Sequence, residues 1–245
     1  MEFKFSLPGW KCEPKRRCFG WSGVAIADGN NSRIPNWLSP LDFCFDRLFE
    51  YYDRYMRATD DVPWWYGERT CLSDLAAAAS VAGMLVSTEY PIENKSRHAG
   101  RRRDLWLLSP DRAELEVESK QCYLNPATSW EKYPNQRLDA AARQFCVGDQ
   151  RLGTRLALCF VRAKYSTRYA PGLKPDKIPD ATNDWFGEDA EPPPAKRVNA
   201  FWFYWADLTD ANTAKRICIT SENWHCPGVF ALVRQVNRAH ALPRR

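Results

Sequence analysis

The pattern of this chain predicts an α/β fold with a mixed sheet, and three observations carry that reading. From Tyr66 onward, apolar residues recur first at helical spacing, then in three short strand-like runs, at helical spacing again, and finally in one dense aliphatic run. Turn signals such as Ser109-Pro110-Asp111 and Gly148-Asp149 separate these segments. The composition is that of a folded domain, 44% hydrophobic and 27% charged over 245 residues, enough for one large core with appendages.

Residues 1–65 read as an N-terminal elaboration, poor in strands. It holds a short candidate strand at Glu2–Ser6, a basic turn region from Lys11 to Arg17, and a strand over Gly23–Ala27 that ends at Asp28-Gly29-Asn30-Asn31. From Pro40 to Ala58, Leu41, Cys44, Phe45, Leu48, Phe49 and Tyr52 fall at helical spacing, which predicts a packing helix. A second helix runs from about Tyr66 to Gly83, with Glu68, Leu72, Leu75 and Ala79 on one face. Glu68 begins that face, where the helix dipole favours an acid, and the run Ala76–Ala79 permits close approach to a sheet.

Three strands follow, over Met84–Ile92, Arg101–Leu108 and Ala113–Gln121. Asn135–Val147 is the next helix, with Leu138, Ala141, Ala142 and Phe145 apolar, and Thr154–Ala163 is a buried strand. These elements make residues 66–164 the core. Residues 165–245 open with a long irregular stretch containing Pro171, Pro175, Pro179 and Glu191-Pro192-Pro193-Pro194. An aromatic strand at Ala200–Leu208, a strand at Arg216–Thr220 and a terminal helix over Pro227–Ala241, exposing Arg234 and Arg238, then pack on the core.

Charge and cysteine usage narrow the function. A net charge of +5 permits a polyanionic partner without demanding one. No apolar run is long enough to span a membrane, and the first residues lack the apolar core of a secretory signal. The nine cysteines include no C-x-x-C pair, and His98, His225 and His240 are scattered, which argues against zinc. Reduced thiols in a cytoplasmic protein are the expectation. Most of the eleven tryptophans belong in a core, Trp64 and Trp65 among them, with some left to stack on bases.

The chemistry concentrates between Arg101 and Gln121. In a strand, side chains alternate, so Glu114, Glu116, Glu118 and Lys120 share one face while Ala113, Leu115, Val117 and Ser119 take the other. Glu118 and Lys120 then project side by side, next to the strand that carries Asp104. Two carboxylates converging this way suit a hard divalent cation, and a lysine beside them can orient water or stabilise charge on a phosphate. The same face could instead be solvated and laced with salt bridges. Arg101, Arg102 and Arg103 are either plain exposed charge or a hold on a phosphate backbone, which Arg151, Arg155, Arg162, Lys164 and Arg168 would extend. Gln121 and Glu116 are candidates to support the site from behind.

The order helix–strand–strand–strand–helix–strand, with Glu68, Asp104, Glu118 and Lys120 at these places, resembles the PD-(D/E)XK nuclease superfamily. The resemblance implies a restriction-endonuclease-like core over residues 66–164, a mixed central sheet flanked by helices. It further implies that Asp104, Glu118 and Glu68 bind Mg²⁺, with the Ser119 carbonyl as an extra ligand and Mn²⁺ as a substitute, while Lys120 positions the attacking water. Arg103 stands where the family often has proline. The Gln-x-x-x-Tyr signature of the exonuclease branch is missing after Gln136 and Gln144, so an endonuclease acting on DNA is the expectation. Cutting both strands commonly calls for a homodimer or partner proteins. Two other readings stand beside it: a non-catalytic DNA-binding module of the same fold, and an α/β interaction subunit of a larger complex.

Overall fold

The computed structural model describes residues 9–27, 35–91, 102–124, 132–145, 153–166, 198–208, 210–219 and 224–236. The expected core order is present. Helix α2 (Glu68–Val81) leads into strands β3 (Leu85–Pro91), β4 (Arg102–Leu108) and β5 (Glu114–Leu124), followed by α3 (Tyr133–Gln144) and β6 (Thr154–Ala163). β3 pairs antiparallel with β4, β4 antiparallel with β5, and β5 parallel with β6, so the sheet is mixed. A parallel pair needs a crossover, and α3 supplies it.

The flanking segments extend this sheet. β1 (Trp10–Arg16), β2 (Gly20–Ala27), β8 (Ala200–Ala206) and β11 (Gly228–Gln235) continue it in the order β1-β2-β8-β11-β6-β5-β4-β3. The N-terminal region is therefore a hairpin built into the sheet. Between β6 and β8 lies the two-residue β7 (Tyr165–Ser166), which joins β10 (Trp224–His225) and β9 (Cys218–Ile219) in a small second sheet, with a short helix α4 (Ala211–Arg216) before β9. The terminal helix expected from Pro227 is a strand instead. Gly228–Gln235 inserts between β8 and β6 and is covered on both faces, so its run Val-Phe-Ala-Leu-Val carries no alternation that would mark a strand in the sequence. Arg234 is not exposed as expected: it pairs with Asp139 of α3. The candidate strand at Glu2–Ser6, and Arg238, lie outside the described residues.

Helices cover both faces. On one side, α1 (Leu38–Thr59) and α2 pack through Leu41, Phe45, Leu48, Phe49, Leu75 and Ala79 onto Leu105, Leu107, Val117, Leu158, Trp202 and Tyr204. On the other, Leu138 and Ala141 of α3 share a core with Ala157, Cys159, Phe203, Trp205 and Phe230. β8 shows the consequence, because Trp202 and Tyr204 serve one core while Phe201, Phe203 and Trp205 serve the other, leaving the strand wholly buried. Asp53 ties α1 to the sheet by accepting the Tyr204 hydroxyl at 2.6 Å and the Cys18 amide at 3.1 Å. Trp64 and Trp65 sit in a 3-10 turn, Pro63–Tyr66; Trp64 is fully buried, as expected, and donates to the Cys226 carbonyl at 3.0 Å. Among the described residues, no helix is long and apolar enough to cross a membrane.

Candidate active site

Gly67 sets the entry to α2. Its φ of 121° and ψ of 174° lie where a side chain is strained, and that turn brings the chain from the Pro63–Tyr66 turn into the helix with Glu68 as first residue. The helix N-terminus favours the Glu68 carboxylate electrostatically. Opposite it, the β4–β5 ladder runs only from Leu108↔Glu114 to Leu105↔Val117. Beyond that point Asp104 replaces a ladder partner: its Oδ2 accepts the Ser119 amide at 2.7 Å.

Ser119 is the meeting point. Its Oγ lies 3.3 Å from Glu68 Oε1 and 3.3 Å from Asp104 Oδ2, so carboxylates from α2 and β4 flank one hydroxyl of β5. Lys120 folds back over the same place, donating from Nζ to the Ser119 carbonyl at 2.5 Å and standing 3.8 Å from Glu68 Oε1. Glu68 and Lys120 keep partial exposure, 34% and 24% of their side chains, so the cluster opens to solvent. The Ser119 backbone and side chain thus hold together four of the residues expected from the sequence: Glu68, Asp104, Ser119 and Lys120.

Glu118 is not brought to them. It lies under α3 on the other side of the sheet, with its side chain 1% exposed, and Arg103 Nη1 donates to its Oε1 at 2.8 Å. Arg103 also reaches Glu116 Oε2 at 3.3 Å and the Gln144 carbonyl at 2.9 Å, and its guanidinium lies 4.5 Å from the centre of the Phe145 ring. Arg155 stands 3.9 Å from Glu116 Oε2, which makes a buried set of two acids and two arginines. Burial pushes the Glu118 carboxyl up to about 7. The Arg103 hydrogen bond opposes this, and the charge of nearby Asp104 adds to it. Among the described residues, no three or more carboxylate, histidine or cysteine side chains converge as a ready ligand set for a metal ion.

The basic residues also differ from expectation. Arg103 is 1% exposed and belongs to the buried network, so it offers nothing to a phosphate backbone at the surface. Arg102 is exposed, 3.4 Å from Glu89, and Arg101 lies outside the described residues, as do Arg151 and Arg168. Arg155 and Arg162 are buried too, because β6 is covered on both faces. Glu116 and Glu118 are likewise not a solvated face; α3 closes over them.

Sequence reasoning missed one feature, the association of Arg162 with Tyr123 beyond the end of this site. The signal is an arginine within the otherwise apolar run Leu156–Ala163, where a charge is costly without a purpose. No protein-family model, no curated protein and no solved structure matches the chain.

Proposed function

We propose that this chain is a metal-dependent phosphodiesterase of the PD-(D/E)XK kind that hydrolyses nucleic acid, with DNA as the expected substrate. One observation carries the reading: Glu68 and Asp104, from different elements, flank Ser119 Oγ while the Lys120 ammonium closes over the same point. The chain order α2-β3-β4-β5-α3-β6, with β5 and β6 parallel, supports a restriction-endonuclease-like core.

The donors fit Mg²⁺. It takes hard oxygen ligands and needs only one or two protein carboxylates, keeping several waters. Asp104 and Glu68 would hold it, whereas Glu118, engaged by Arg103, stands apart. When bound, such an ion lowers the pKa of a coordinated water and offsets charge on a phosphate oxygen. The residues of this chain do the rest. The Ser119 amide pins the Asp104 carboxylate through one oxygen, and the Ser119 carbonyl anchors the Lys120 ammonium. Lys120 is thereby oriented to steady a phosphate oxygen or an attacking water.

The test is conversion of supercoiled plasmid in Mg²⁺, Mn²⁺ or EDTA. Wild type should nick or linearise it only with metal, and Asp104→Ala and Lys120→Ala should each lower the rate by about a hundredfold or more. Glu118→Gln should retain metal-dependent cutting. Cleavage that persists in EDTA, or in both alanine variants, would overturn the proposal. The Arg103–Glu118 pair favours one second reading, a non-catalytic nucleic-acid-binding module, since it neutralises the acid of the Glu118-Ser119-Lys120 motif. Tight metal-independent binding with no cleavage of plasmid, single-stranded DNA or RNA would select it.

A further inference from the structure

The sheet face that carries Ser119 continues toward the C-terminal ends of β5 and β6, where its character changes. Ser119, Gln121 and Tyr123 alternate onto this face, and their parallel partners are Leu158, Phe160 and Arg162. Gln121 Oε1 lies 4.0 Å from where a Cβ on Gly67 would stand, so it lines the step from the acid cluster to the strand ends. The surface at those strand ends is cationic and aromatic.

Arg162 is buried, 2% exposed, yet among the described residues its guanidinium meets no carboxylate. Nη1 donates to the carbonyls of Trp64, at 3.0 Å, and Trp65; Nη2 donates to the Tyr123 hydroxyl; Nε has no partner among the described residues. Its Cζ lies 4.1 Å from the centre of the Tyr123 ring, so the guanidinium backs that ring. The Lys164 ammonium stands 5.0 Å from the Trp65 ring and 4.8 Å from the Tyr123 ring, between the two. Tyr123 is nevertheless 48% exposed, and Tyr66 beside Trp65 is 55% exposed.

A buried cation without a counter-charge is costly to keep, and a bound anion relieves that cost. An exposed ring backed by a guanidinium is a platform for a flat π-system, and cations interleaved with such rings track a phosphate chain. We infer that this face receives a single nucleic-acid strand as it leaves the acid cluster: an unpaired base stacks on Tyr123, whose ring the buried Arg162 guanidinium backs, and its phosphates run past Lys164. The inference rests on the phosphodiesterase reading for its direction. Unpaired nucleotides are required because a duplex keeps the faces of its bases stacked within itself. DNA and RNA single strands share this chemistry.

The experiment is fluorescence anisotropy in EDTA, using a labelled oligothymidylate of about a dozen nucleotides, the matching oligouridylate and a blunt duplex of the same length. Wild type should hold single strands more tightly than duplex. Tyr123→Ala should weaken that binding about tenfold, while Tyr123→Phe, which keeps the ring, should not. Lys164→Ala should reduce the slope of log affinity against log salt by about 0.7, the loss of one single-strand phosphate contact. Unchanged thermal melting of each variant separates these effects from misfolding. Tighter binding of oligouridylate upholds the surface and assigns the strand as RNA. Duplex bound as tightly as single strands, or Tyr123→Ala binding like wild type, overturns it. Binding through Tyr123 without any cleavage leaves this surface and removes the catalytic reading; cleavage with Tyr123→Ala binding unaltered does the reverse.

Discussion

Gly67 shows how much one residue determines here. Its backbone, at φ 121° and ψ 174°, sits in a region open essentially to glycine alone, and the next residue is Glu68 at the start of α2. A Cβ there would meet nothing nearer than Gln121 Oε1 at 4.0 Å, so space is not the constraint; conformation is. Gly67→Ala should therefore cost about 1–3 kcal/mol of stability. Urea denaturation measures it, and an unchanged midpoint would show that the turn relaxes freely. Because the strain falls on the step that aims Glu68, metal-dependent cleavage should drop in the same variant by more than the loss of folded protein explains.

At the scale of the element, β5 is a strand with two occupations. One face presents Ser119 to Glu68 of α2 and carries Gln121 and Tyr123 beyond it, and the other buries Glu116 and Glu118 beneath α3 with Arg103 and Arg155. Each of these buried groups relies on its partners because desolvated ions gain little unless paired. Removing Arg103 takes away the guanidinium that reaches both Glu116 and Glu118. Arg103→Ala should then destabilise the fold by about 3–5 kcal/mol, measured by urea unfolding. Arg103→Lys should not restore it, since an ammonium cannot reproduce the fork that reaches both Glu116 and Glu118. A loss below about 1 kcal/mol for Arg103→Ala would mean that water replaces the arginine and the network is not structural.

For the whole molecule, the same burial predicts a dependence of stability on pH. Glu118 is raised from 4.5 to about 7, and Asp74 of α2 from 3.8 to about 6, in both cases chiefly by burial. Each group binds its proton more tightly folded than unfolded. Its stabilising contribution is full below the unfolded value and is lost as pH climbs through the raised one. The urea midpoint of metal-free protein should accordingly fall between about pH 4 and about pH 7. Glu118→Gln should flatten the upper part of that fall and Asp74→Asn the lower part. A slope identical to wild type in both variants would place the titration elsewhere. The sheet spreads any such loss widely, because β1, β2, β8 and β11 are continuous with β6 and the site has no foundation separate from the remainder of the described chain.

The core order from α2 to β6 is legible in local pattern alone. The helices α2 and α3 show their own period, β3 and β4 are short runs of seven residues, β5 alternates, and β6 is a dense apolar run. The sequence also marked Glu68, Asp104, Ser119 and Lys120, since an acid at a helix start and an acid-x-lysine strand beside an acid-bearing one are local patterns. The remainder depends on contacts between segments distant in the chain. Nothing local distinguishes β11 from a helix; its place between β8 and β6 settles that. Alternation puts Glu118 and Lys120 on one face, but the side chains part: Glu118 finds Arg103 under α3, and the long Lys120 chain turns back to the Ser119 carbonyl. Arg103, Arg155 and Arg162 read as surface charge until α3, Phe145, Trp64 and Trp65 close around them. A charge in a sequence reveals its sign, whereas its burial and its partner depend on what the fold lays across it.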